Sequence, residues 1–168
     1  MAYNAPPSGA GKYKQGYYVL KNLSKYVGDP SKIVYRSSLE LKFCQYMDLS
    51  SKVIRWGSEV ISIPYIGADN KPHTYHVDFY VEMVDERHPT KMERLLVEVK
   101  PYAETQRVLE NKLPPKPAKI TPSSLKSWDY ALKEFLRNRQ KWIYAMEYAR
   151  KTHMKFLVVT EKLLNTWT

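Results

Sequence analysis

The chain has 168 residues, enough for one domain with its own core, and 43% of them are hydrophobic, which excludes an intrinsically disordered protein. Its 27 Lys and Arg against 17 Asp and Glu leave a formal charge of +10, a balance that favours polyanionic partners, nucleic acid first. A single cysteine, Cys44, excludes an internal disulfide and a thiolate zinc cluster, and no apolar run reaches the length of a membrane span.

Residues 1–20 read as a flexible basic N-terminal arm and residues 21–168 as one domain. The arm lacks periodicity, and its Lys12 and Lys14 interleave with Tyr13, Tyr17 and Tyr18, a mixture suited to DNA or to a protein partner. No hydrophobic signal core opens the chain. Gly28-Asp29-Pro30 punctuates the entry to the domain. Ser37 then opens a helix whose Leu39, Phe43 and Met47 recur at i, i+4 and i+8, with Glu40 beside the stripe and Arg36 one turn earlier. Cys44 lies in this helix as a small core residue.

Val53 to Tyr65 reads as one strand, Gly67 to Pro72 as a turn, and Thr74 to Val84 as a second strand. In that strand Val77, Phe79 and Val81 are expected on one face, with His76, Asp78 and Tyr80 on the other. After a polar turn, Arg94 to Lys100 forms a third strand, apolar on both faces and therefore central in its sheet. Pro101 closes it. A long proline-rich stretch follows, read as loop. Thr121 caps a helix with Pro122 at its first position, running to about Lys151. Trp128, Phe135, Trp142 and Ala149 recur every seven residues along it. Lys155 to Thr160 is a last short strand. The order helix, three-stranded meander, long helix, strand describes a mixed α/β protein with helices covering the sheet. No interface stripe fixes an oligomeric state.

Four polar residues interrupt these regular segments. Glu98 and Lys100 share one strand face, and a symmetric hairpin centred on His88 sets Asp78 opposite Glu98. Carboxylates about 5 Å apart across a strand pair repel one another, and burying them is costly without a cation. Mg²⁺ is the natural occupant, with Mn²⁺ as a substitute. The expected division of labour makes Glu40, Asp78, Glu98 and Lys100 catalytic. Asp78 and Glu98 ligate the metal with the Val99 carbonyl, Lys100 orients or deprotonates water, and Glu40 adds an outer or second ligand. The competing reading is a set of solvated ion pairs, Glu98–Lys100 and Arg36–Glu40.

The expected DNA-binding residues are Arg36, His76, Gln106, Lys116, Lys119 and Lys126, with further basic side chains on the long helix positioning a duplex through its phosphates. Glu104 and Gln106 follow the Glu98 strand closely enough to line the site.

The strand-borne Asp, the Glu-x-Lys and the helix Glu resemble the PD-(D/E)XK nuclease superfamily, with Val77 in place of the usual Pro. Further segments narrow the resemblance. They are Lys21 to Tyr26, Gly28-Asp29-Pro30, Tyr35-Arg36-Ser37 with Glu40, Trp56 to Tyr65, Glu98 to Pro101, Glu104-Thr105-Gln106 and Thr160-Glu161. Together they resemble the head completion nucleases of T-even-like tailed phages over residues 20–165. That resemblance implies a restriction-endonuclease-like mixed sheet flanked by helices. It implies a DNA endonuclease that trims packaged duplex ends, with portal or neck proteins as partners. It also implies action in the host cytoplasm during assembly and at the head–neck region of the virion. Two alternatives stand beside it: a structural component that binds DNA or the portal, and a transposon-end or junction-cleaving nuclease.

Overall fold

The structure is a computed structural model, and it describes residues 15–85 and 87–167. The first fourteen residues of the expected arm lie outside the described residues. The boundary at residue 20 falls inside folded chain: β1 (Gly16–Tyr17) pairs with β2 (Val34–Tyr35), and Tyr18 is buried.

Asp48 anchors this entry segment. It lies at the end of α1 (Ser38–Leu49) and is fully buried. Its carboxylate accepts hydrogen bonds from the Tyr18 hydroxyl at 2.9 Å and from the backbone N–H groups of Lys21 at 2.8 Å and Asn22 at 2.9 Å. Its carbonyl accepts from Asn22 Nδ2, and Lys25 Nζ reaches the Ser50 carbonyl at 2.7 Å. Burial works to raise the Asp48 pKa, yet these donors prevail and hold the carboxyl below its usual range. The Lys21–Lys25 segment is thus tied down by one residue 23 or more positions further on.

The central sheet has the order β3 (Val53–Ser58), β6 (Phe79–Val84), β7 (Met92–Val99), β8 (Lys155–Val159); the first two pairings are antiparallel and the last is parallel. As expected, β7 is central, and its run Leu95–Val99 is buried throughout. A separate hairpin joins β4 (Ser62–Ile66) and β5 (Pro72–His76).

The two long strands expected at 53–65 and 74–84 are therefore each broken in two. Ser58 pairs with Phe79, whereas Ser62 pairs with His76, so residues 59–61 oppose only 77–78. The extra residue makes a β-bulge, which bends the strand and re-aims its side chains. Glu59 absorbs the bend with a φ of 53°. The Glu59 N–H donates to the Asp78 carbonyl and the Val77 N–H to the Ile61 carbonyl, each at 3.0 Å. The expected face assignment of Val77 is corrected accordingly. Val77 joins Tyr75, Leu96, Ala145 and Ala149 on one side of the sheet, while Phe79 and Val81 pack with Phe43, Met47 and Trp56 on the other.

The helix at 122–151 follows the sequence closely. α3 (Pro122–Lys151) has Thr121 as its cap, accepting from the Ser124 N–H at 3.1 Å, and buries Phe135, Trp142 and Ala149. Two helices were not expected. The start of the proline-rich stretch folds as α2 (Tyr102–Leu109), and α4 (Glu161–Trp167) follows β8. α2 has no side-chain cap of its own; Glu161 of α4 supplies one, accepting from the Tyr102 N–H at 2.8 Å. Among the described residues no helix is long and apolar enough to cross a membrane.

Candidate active site

The bulge and the end of β7 bring Asp78, Glu98 and Lys100 together. β6 and β7 pair with Phe79 opposite Val97, so Asp78 lies opposite Glu98, as the hairpin centred on His88 predicts. Asp78 Oδ2 accepts from the Val99 N–H at 2.9 Å and the Asp78 side chain hydrogen-bonds Glu98. Glu98 is 3% exposed. Its Oε1 lies 3.8 Å from Lys100 Nζ, and its Oε2 accepts from the Tyr75 hydroxyl at 2.5 Å. The solvated Glu98–Lys100 ion pair of the competing reading is therefore a buried acid beside a partly covered lysine.

Charge is unevenly shared between the two acids. Burial raises both pKa values. Asp78 is raised well above the ordinary carboxylate range, by burial first and then by the charges of Glu98 and Glu40. Glu98 rises too, but Lys100, Tyr75, Lys141 and Asp78 all favour its ionised form. Burial and the neighbouring acids thus work against ionising Asp78, whereas the groups around Glu98 favour its charged form. Burial works to lower the Lys100 pKa, but Glu98, Asp78, Glu104 and Glu134 outweigh it and raise the value. In the cation-free protein these acids favour the charged ammonium of Lys100.

Glu40 stands at the start of α1, close enough to act on Asp78 through its charge. Its oxygens are already engaged. Oε2 accepts from the Arg36 N–H at 2.8 Å and Oε1 from the Ser37 hydroxyl at 3.2 Å, while the Glu40 N–H donates to Ser37 Oγ. This is a reciprocal helix cap. The expected Arg36–Glu40 ion pair is corrected: the Arg36 guanidinium turns to Glu59, 2.7 Å away. Among the described residues, no group of three His, Cys, Asp or Glu side chains converges as a ready-made metal cage.

The remaining expected residues are dispersed. His76 points away from Tyr75 and bonds Ser62 Oγ at 2.8 Å, exposed on the β4–β5 hairpin. Gln106 is exposed and donates to Glu110, the residue that follows its helix, so α2 reaches the site through the charge of Glu104 instead. Lys116 sits 5.8 Å over the Trp128 ring, and Lys116, Lys119 and Lys126 are all exposed. Sequence reasoning missed Tyr75 and Glu134, and it read Lys141 only as one of the basic residues on the long helix that could bind phosphates, not as a neighbour of Tyr75 and Glu98. Tyr75 carried a readable signal, since a tyrosine on an apolar strand face must find a partner for its hydroxyl.

A family model described as TnsA-like endonuclease N terminal matches residues 50–161. The chain belongs to this family. TnsA-like endonuclease domains are restriction-endonuclease-like, in keeping with the mixed sheet flanked by helices. The TnsA-like match runs from just before β3 to the start of α4 and so contains Asp78, Glu98 and Lys100, while Glu40 lies before it. The chain is also 35% identical over 147 residues to the head completion nuclease of Enterobacteria phage T4, covering 87% of this chain and 90% of that protein.

Proposed function

We propose that this protein is a divalent-cation-dependent DNA endonuclease that processes packaged DNA ends during phage head completion, so that neck and tail can attach. The carrying observation is the pair of facing carboxylates, Asp78 and buried Glu98, with the Lys100 ammonium beside them. The donor set suits Mg²⁺ or Mn²⁺: hard cations take oxygen ligands, and two acids whose pKa values burial has raised gain most from a cation between them. Asp78 and Glu98 would hold it, with the Val99 carbonyl as a third oxygen. When bound, the cation polarises a phosphoryl oxygen and lowers the pKa of water.

The chain's own groups do the rest. The Val99 N–H locks Asp78 in place. Lys100 orients the attacking water and offsets charge on the phosphate as it develops. Glu40 holds the start of α1 and adds negative charge beside Asp78. The formal charge of +10 draws duplex DNA to the protein. The head-completion role rests on the likeness to the phage T4 protein; portal or neck proteins are the partners it suggests, in the host cytoplasm during assembly and then in the virion.

The test is cleavage of plasmid and linear duplex DNA with Mg²⁺, Mn²⁺ or EDTA, on the wild type and on Lys100→Met. The variant is expected to cut about 10²–10³-fold more slowly, the cost of removing one transition-state donor. Cutting in EDTA, or a fully active Lys100→Met, sinks the reading. In phage, loss of cleavage should leave filled heads that fail to join tails, whereas normal infectious particles would point to a binding role. Glu40→Gln keeps an acceptor for the α1 cap but removes the charge. Its melting temperature should match the wild type while its cleavage rate falls about 10-fold.

A further inference from the structure

Glu98 is held from behind by a residue that the chemistry above leaves out. Tyr75 is 1% exposed, and its hydroxyl reaches Glu98 Oε2 at 2.5 Å. An O–H donated to a carboxylate at this length belongs to the strong, charge-assisted class. Lys141 of α3 sets its ammonium 5.0 Å from the centre of the Tyr75 ring, inside the cation–π range of about 6 Å. Three elements distant in sequence therefore meet at one carboxyl group: β5 through Tyr75, β7 through Glu98 and α3 through Lys141. The other oxygen of Glu98, Oε1, faces Lys100. The two oxygens have unlike surroundings, one engaged by protein from behind and one turned toward the reactive lysine.

We propose that Tyr75, steadied by Lys141, is a positioning residue of the nuclease site that clamps Glu98 through Oε2 and so presents Oε1 toward the cation. The inference rests on the metal-nuclease reading and deepens it. A carboxylate free at one end swings about its last side-chain torsion, which is broad and offers no fixed well of its own. Ligand-orienting partners of this kind typically change metal affinity or activity by about 10–100-fold. Tyr75 touches neither DNA nor cation in this scheme; it acts through Glu98 alone. The sequence neighbours of Tyr75 do not substitute for it, since His76 faces away and Val77 carries no polar group.

The experiment compares the full chain with Tyr75→Phe, Lys141→Met and Lys141→Arg. Three quantities are measured: MnCl2 affinity by calorimetry without DNA, single-turnover cleavage against DNA concentration, and the melting temperature of the cation-free protein. Tyr75→Phe keeps the ring under Lys141 and removes only the hydroxyl. It is expected to weaken Mn²⁺ binding about 10-fold and slow the maximal rate about 10–100-fold, with KM for DNA unchanged. Lys141→Met should move both in the same direction by about 2–5-fold, and Lys141→Arg should restore them, because a guanidinium also rests on a ring face. Wild-type values for Tyr75→Phe in a wild type that binds Mn²⁺ and cuts overturn the clamp alone. A Lys141→Met protein that raises KM for DNA and leaves Mn²⁺ affinity untouched makes Lys141 a phosphate contact and overturns its part. A wild type that neither binds Mn²⁺ nor cuts removes the nuclease reading itself.

Discussion

The Asp78→Asn protein is expected to lose cleavage and gain stability. Asparagine retains an oxygen to accept from the Val99 N–H, 2.9 Å from Asp78 Oδ2, and its amide can donate toward Glu98. What it cannot do is carry charge. As a cation ligand it is neutral and so weaker, and the cleavage rate should fall by about 10²-fold or more. In the cation-free fold the same change removes an acid that burial and Glu98 oppose. Stability should rise by about 1 kcal/mol, or about 2–4 °C in Tm for a chain of this size. The pH dependence has a definite sign. The folded-state pKa of Asp78 lies above the ordinary aspartate value of 3.8, so its contribution to wild-type stability is full below that value and is lost as pH rises through the folded pKa. The advantage of the asparagine variant should therefore be small near pH 4, grow as pH rises, and then level off. Mg²⁺ should raise the Tm of the wild type and leave the variant almost unmoved. A variant that melts lower at every pH would mean that Asp78 is a structural acid.

Asp48→Ala should destabilise the fold strongly. It strands the Tyr18 hydroxyl and two backbone N–H groups. At about 1–3 kcal/mol for each buried donor left without a partner, with water reaching the partly exposed backbone groups, the loss should be about 3 kcal/mol. Tm should fall by about 6–12 °C, and residues 16–26 should gain amide exchange before the sheet does. Here the sign of the pH effect is opposite to that at Asp78. The folded pKa of Asp48 is depressed below 3.8, so its contribution is complete above that value and disappears as pH falls through the folded pKa. The alanine variant should therefore show a shallower acid limb than the wild type. Equal Tm values for the two proteins would mean that the entry segment is held by something other than this carboxylate.

Periodicity carried much of the architecture. The run Arg94 to Lys100, apolar on both faces, marked the central strand, and Thr121-Pro122 with a seven-residue aromatic stripe marked α3. Hairpin symmetry about His88 was enough to set Asp78 against Glu98, because side-chain alternation allows few registers. The break at 59–61 against 77–78 was not legible in the same way. A bulge costs one residue, and nothing in Ser58-Glu59-Val60 announces that Glu59 takes a positive φ. The capping Glu40 was visible as an acid on the correct turn of α1, but not as an acceptor whose oxygens the cap already occupies.

Composition, alternation and motif spacing were sufficient to specify a basic α/β domain and the Asp, Glu and Lys at its centre, since those depend on neighbours in the chain or across one tight hairpin. Folding alone settled which partners each acid has. Tyr75 and Lys141 reach Glu98 from 23 residues before it in the chain and 43 after, Asp48 gathers the segment that precedes α1, and Glu161 caps a helix 59 residues away. Side-chain hydrogen bonds act over about 3 Å in space and leave no periodic trace along a chain, so such pairings emerge only when the elements pack.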